Sequence, residues 1–124
     1  MRWKPDKDRP ICPQLCEYVC VSIASGDFVA EQKLPSVREL ALEIGVNPNT
    51  VQRSYEILEQ QGIIYTERNL GRYVNKDTSV AKRKVSELAK LKTDEYLQGM
   101  ASLGYSVNDV KEYINQTFNK EWSE

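Results

Sequence analysis

The chain has 124 residues, 28% of them charged, with 17 lysines and arginines, 18 aspartates and glutamates, and no histidine. That length holds one domain, or a small head with a helical appendage. The formal charge of −1 excludes a globally positive field, so any affinity for nucleic acid must come from the local placement of a few arginines.

The N-terminal stretch MRWKPDKDRP is polar and proline-punctuated, and reads as an ordered arm or a frayed tail. No apolar run is long enough to span a bilayer, so a cytoplasmic protein without a membrane partner is expected. The first helix is predicted over residues 13–25, with Pro13 in its first turn and Gly26 as its stop. Ile11, Leu15, Val19 and Ile23 mark its apolar stripe. Cys12, Cys16 and Cys20 lie along one side of this helix at i, i+4, i+8. Eight residues of helix span about 12 Å, too far for the outer two to share an ion bound at about 2.3 Å. The cysteines therefore read as small hydrophobes beside the apolar stripe, with a redox role as the lesser alternative. No metal or other cofactor is expected.

A loop follows, with one short strand near residues 32–34. Ser36 and Glu39 form a capping-box pattern that opens a second helix. Val37, Leu40, Ala41 and Ile44 give that helix a buried face, and Gly45 ends it. Asn47-Pro48 opens a third helix, with asparagine as cap and proline at the first position. At 100° per residue, Val51, Tyr55 and Leu58 share one arc, while Asn49, Gln52, Arg53 and Glu56 share the opposite one. Gly62 closes the helix. Residues 63–66 and 72–74 read as two short strands, and Asn69 and Gly71 between them tolerate positive φ. This hairpin would be the wing of a winged helix-turn-helix.

Beyond residue 76 the pattern is purely helical. Ala81, Val85, Leu88, Ala89, Tyr96, Met100 and Leu103 fall within an arc of about 120° over residues 79–103. Gly104 stops that helix, and Ser106 with Asp109 caps another, on which Val107, Val110, Ile114, Phe118 and Trp122 recur at helical spacing. Two helices have little core of their own, so these stripes need cover. Folding back on the head is one solution; pairing with a second copy is preferred. The expected fold is mainly α with a small β-hairpin: a winged helix-turn-helix over residues 1–76, then a two-helix dimerisation segment over residues 77–124. The expected dimer contacts are Val85, Leu88, Tyr96, Met100, Leu103, Val110, Ile114 and Phe118. Removal of the chain from Ser79 onward is expected to leave a folded monomer.

The outer face of the third helix points to DNA. Its amides match the paired donor and acceptor of adenine, Arg53 can reach a guanine edge or a phosphate, and helix N-termini favour phosphate. Arg38, early in the second helix, is placed for backbone phosphate or the outer base pairs of a half-site. Helix, glycine turn, Asn-Pro-capped helix and hairpin in this order are far more specific than any one of them.

Taken together, SIASGDF, KLPSVRELALEIGVNPNTVQRSYEILEQQGII and GRYV resemble the head of GntR-family bacterial transcription regulators, over residues 10–74. The short tail with LGYSVNDVKEYI resembles the YtrA-type subfamily, whose regulatory segment is a pair of dimerisation helices. The resemblance implies a homodimer on a palindromic operator in double-stranded DNA, acting as a repressor, often of an operon encoding an ABC transporter. It also implies that Arg38, Asn47, Asn49, Thr50, Gln52 and Arg53 occupy DNA-contacting positions. Ser36 then matches a phosphate-contacting cap, and Gly71 the wing glycine that approaches the minor groove. Two positions depart from the family pattern. Pro48 stands where larger-tailed members carry a base-reading arginine. The wing tip, Arg68-Asn69-Leu70-Gly71, lacks the usual Arg-Gly-Arg-Gly, and Leu70 cannot replace an arginine in a narrow minor groove. Arg68 and Arg72 are the expected substitutes, through phosphates.

An enzyme is not expected, because the chain has no histidine, no nucleophile motif and no glycine-rich phosphate loop. Glu39, Glu43, Glu56 and Glu59 read as solvated helix charges. The competing reading is a winged-helix protein-interaction module without DNA binding. A docking helix would expose large apolar groups where this one carries Asn49, Gln52, Arg53 and Glu56. An unidentified small-molecule effector stays open as a further partner, although the tail is short for an enclosed pocket of about 300 Å³.

Overall fold

The computed structural model describes residues 3–121. The elements run α1 (Ile11–Ser25), α2 (Val37–Ile44), α3 (Pro48–Gln60), β1 (Ile64–Glu67), β2 (Gly71–Val74), α4 (Ser79–Ser102) and α5 (Val107–Glu121). This is the mainly α architecture with a two-stranded antiparallel hairpin that the sequence predicts. Among the described residues, no helix is long and apolar enough to cross a membrane.

Residues 3–10 form an ordered arm. The Trp3 indole stacks on Tyr18 with ring centroids 4.5 Å apart, and the edge of Phe28 meets Tyr18 on the other interaction, at 6.1 Å. Pro5 is buried. Gln14 ties the arm to the start of α1: its Nε2 donates to the carbonyls of Asp6 and Pro10, and its Oε1 accepts from the Asp6 amide. Helix α1 thus begins at Ile11, two residues before the proline that marked its expected start. Lys4 Nζ donates to the Glu43 carbonyl at 3.3 Å, near the C-terminal end of α2.

Local signals set the next two helices. Ser36 Oγ accepts from the Glu39 amide, and Glu39 Oε1 accepts from the Ser36 amide, both at 3.1 Å. These bonds, the backbone one foremost, hold the Glu39 carboxyl below its ordinary value. Gly45 ends α2 at φ 71° and turns the chain directly into Asn47, whose Oδ1 accepts from the Asn49 amide at 2.8 Å. Ser36→Ala and Asn47→Ala are each expected to lower stability by about 1 kcal/mol in urea denaturation, with the slope of the transition unchanged.

The core of the head gathers Leu15, Val19 and Ile23 from α1, Leu40 and Ile44 from α2, Val51, Tyr55 and Leu58 from α3, and Ile64 and Val74 from the hairpin. The hairpin pairs Ile64 with Val74 and Glu67 with Gly71. Asn69 supplies φ 66° and Gly71 φ 124° at its tip. Residues 31–34 run alongside β2, with Leu34 N–H donating to the Arg72 carbonyl at 2.8 Å and Val74 N–H to the Gln32 carbonyl at 2.9 Å. The short strand expected near residues 32–34 is thus a single bridge, Lys33 to Tyr73.

The chain forms two compact units, Met1–Ser86 and Glu87–Glu124. The first extends ten residues past the expected boundary at residue 76, because the start of α4 belongs to the head. Ala81 is 1% exposed in the head core, and Val80 and Val85 pack against it. Val85, expected on the dimer stripe, is therefore taken up by its own head. Removal from Ser79 onward would strip Ala81 from that core, so the folded monomer expected from that cut does not follow.

In the second unit Gly104, at φ 88°, ends α4. Ser106 and Asp109 form the expected capping box on α5, with bonds of 2.9 and 3.1 Å. Val110 is 5% exposed and so already covered within the chain. Leu88, Met100 and Ile114 are half-buried, whereas Tyr96, Leu103 and Phe118 are exposed. Trp122, the last member of the expected stripe, lies outside the described residues.

Candidate nucleic-acid interface

The two faces of α3 separate as their side chains dictate. Val51, Ser54, Tyr55 and Leu58 are buried; Asn49, Arg53 and Glu56 are exposed, and Thr50 and Gln52 are half-buried. Ser54 Oγ donates to the Thr50 carbonyl at 2.8 Å, so its burial leaves no polar atom unpaired. The Tyr55 hydroxyl donates to the Pro35 carbonyl at 2.8 Å and fixes the entry of α2 against the middle of α3. Burial pushes this phenol above its ordinary pKa, so it stays a donor.

The start of α2, the middle of α3 and the hairpin enclose a cleft of about 350 Å³. Five expected contact residues line it: Ser36, Arg38, Gln52, Gly71 and Arg72. Asn47, Asn49, Thr50, Arg53 and Arg68 lie outside its lining, with Arg68 at the exposed hairpin tip, Asn47 as the cap of α3 and the others on its first turns. Ser36 and Arg38 are exposed, as a phosphate contact requires. Gly71 sits where a Cβ would come within 3.1 Å of Lys33 Cε. Lys33, absent from the residues expected at this site, therefore adds a cation to the cleft wall. Its pairing with Tyr73 brings it there, and nothing local to its sequence announces that pairing.

Of the glutamates, Glu59 alone departs from its expected place among these contacts, Glu39 being the cap that the sequence predicts. Glu56 Oε1 accepts from Gln52 Nε2 at 2.8 Å. Glu59 is no solvated charge: its Oε1 accepts from Arg72 Nε and from Thr66 Oγ1, both at 2.7 Å. Arg72 is thereby turned inward. Its Nη2 donates to Gln52 Oε1 at 3.4 Å, and its guanidinium carbon lies 5.3 Å from the Tyr55 ring centre.

The cysteines behave as packing groups. Cys20 is buried, and the Cys16 thiol donates to the Ser54 carbonyl at 3.6 Å. Burial, then the neighbouring Cys12, pushes the Cys16 thiol up to about 12. Among the described residues no group of three cysteines or carboxylates is placed to hold a metal ion. With its thiol held well above the ordinary range, Cys16 should resist alkylation in the folded protein and react only on unfolding. DNA affinity should be the same with and without reductant. Rapid native labelling of Cys16, located by mass spectrometry, would contradict this.

Residues 14–74 match the family described as "Bacterial regulatory proteins, gntR family". The chain is 36% identical over 102 residues to the HTH-type transcriptional repressor YtrA of Bacillus subtilis, covering 77% of this chain and 78% of that protein. Its structure is similar to that of a GntR family transcriptional regulator from Listeria monocytogenes, with a TM-score of 0.82, 35% identity, and coverage of 90% of this chain and 98% of the other. The AraR DNA-binding domain in complex with operator ORE1 matches 53% of this chain and 80% of its own, at 29% identity and a TM-score of 0.50. The chain belongs to the GntR family, as a YtrA-like DNA-binding transcriptional regulator and not an enzyme.

Proposed function

We propose that the protein is a homodimeric repressor that occupies a palindromic operator, each subunit placing α3 in a major groove. The observation that carries this reading is the outer face of α3. Asn47, Asn49 and Arg53 are exposed to solvent rather than covered by the chain, and the cleft beside them holds Ser36, Arg38 and Gln52. The exposed face of α3 bears no large apolar side chain, which is what a protein-docking helix would need. Ser36, Arg38 and Arg68 serve phosphates, Asn49, Thr50, Gln52 and Arg53 the base edges, and Gly71 the close approach of the wing backbone. Asn47 adds a phosphate donor through its side-chain nitrogen, its Oδ1 being spent on the Asn49 amide. The wing contributes less than an arginine-tipped one, because Leu70 at its tip is 59% exposed and apolar.

Dimerisation is assigned to the tail, the segment beyond residue 76 once the head-packed start of α4 is set aside. Within that unit Tyr96, Tyr113, Ile114, Thr117 and Phe118 line an apolar groove of about 390 Å³. Leu91, Leu97 and Tyr113 are exposed too, three residues that helical periodicity alone did not mark. So much uncovered apolar surface on two helices is what a self-complementary interface presents. The test is binding of purified protein to the fragment upstream of its own gene, with mass followed by sedimentation. A dimer on one fragment, weakened by salt, is the expected result. Absence of selectivity over unrelated duplex would count for a protein-docking module.

A further inference from the structure

We infer that Arg72 and Glu59 are positioning residues that fix the amide of Gln52 for one base, so that the wing sets the selectivity of α3 without touching DNA through Arg72. The inference rests on the DNA-binding reading and goes beyond it.

A glutamine amide is ambiguous by itself, since a half-turn exchanges its donor and its acceptor. At Gln52 that ambiguity is removed from both ends. Arg72 can only donate, and its Nη2 faces Gln52 Oε1 at 3.4 Å. The Glu56 carboxylate can only accept, and its Oε1 faces Gln52 Nε2 at 2.8 Å. Exchanging the two ends would set donor against donor and acceptor against acceptor. Each end keeps one unused capacity, a second lone pair on Oε1 and a second hydrogen on Nε2. That pair matches the N6 amino group and N7 of adenine in the major groove.

Arg72 is itself held. Glu59 Oε1 binds its Nε at 2.7 Å and also binds Thr66 of β1, while the Tyr55 ring lies beneath its guanidinium. The Arg72 and Glu59 side chains are only 22% and 29% exposed, so water screens their attraction weakly. The hairpin is thus clamped to α3 at the residue that orients the reader, and a reader ordered beforehand loses less freedom on binding.

The experiment is selection from a pool of randomised duplexes, with a salt titration on the winning sequence. Wild type, Gln52→Ala, Arg72→Ala, Arg72→Lys, Glu59→Ala and the Gln52→Ala/Arg72→Ala double variant are compared. Wild type should prefer adenine at one position per half-site, and Gln52→Ala should lose about tenfold of that preference. Arg72→Ala and Glu59→Ala should lose part of that preference at the same position, since Glu56 still holds the Nε2 end, and should keep the other positions and the salt slope; Arg72→Lys, still a donor, should fall between them and wild type. The double variant should look like Gln52→Ala at that position. Uniform loss across positions with a slope smaller by about one would make Arg72 a phosphate contact and overturn the inference. Full retention of the preference in Arg72→Ala or Glu59→Ala would also overturn it. A wild-type protein that enriches no sequence would instead remove the DNA reading itself, and this inference with it.

Discussion

Replacing Arg53 by alanine should weaken operator binding by about 1–3 kcal/mol, a loss of roughly five- to a hundred-and-fifty-fold, while the circular dichroism spectrum and melting temperature stay unchanged. The two halves of this expectation come from one fact. Arg53 is exposed on the outer face of α3 and enters no ion pair among the described residues, so the fold should lose little when it goes. Arg38, exposed one residue into α2, stands in the same position. A base contact and a phosphate contact then separate by their signatures. Loss of a phosphate contact lowers the salt slope by about one and weakens all sequences alike; loss of a base contact relaxes one position. Wild-type affinity in both alanine variants, with the fold intact, would remove α3 and the start of α2 from the interface. In this respect Arg72 is their opposite, because its guanidinium is already bound to Glu59.

The second large effect concerns the tail. A charge in its apolar groove, as Tyr113→Asp combined with Ile114→Asp, should halve the sedimenting mass to that of the 14.3 kDa chain. Operator affinity should fall by about a hundredfold or more, because the second half-site is no longer delivered at high effective concentration. Both residues line the groove, Tyr113 being 53% exposed and Ile114 half-buried. The head should stay folded, since its core from Leu15 to Ala81 includes neither residue. Substitution is the better test than deletion, which would have to spare the first turns of α4. A dimer that survives both charges would place the interface elsewhere.

Where the determinants are local, the sequence is a sufficient guide. Ser36 with Glu39, Asn47 with Pro48, Gly45, and Ser106 with Asp109 each act within one turn of chain, and every one of these caps forms as written. The polar arc of α3 follows from the same short-range periodicity. What escaped a sequence reading depends on chain returning from a distance. Glu59 meets Arg72 across thirteen residues only because the hairpin register turns that arginine toward α3. Lys33 reaches the cleft through a bridge to Tyr73, forty residues on. Ala81 and Val85 fit an amphipathic stripe equally well whether the stripe faces a second copy or the head. Periodicity says that a face is covered, and tertiary packing decides by what.

The ordered arm carries a practical consequence. The chain has two tryptophans, Trp3 and Trp122, so Trp122→Phe leaves a single indole. That ring lies flat on Tyr18, in a segment whose Lys7 ammonium would sit 3.2 Å from a Cβ built at Gly45, beside the bend between α2 and α3. Its emission is therefore a label-free optical gauge of whether residues 3–10 stay seated when DNA is added.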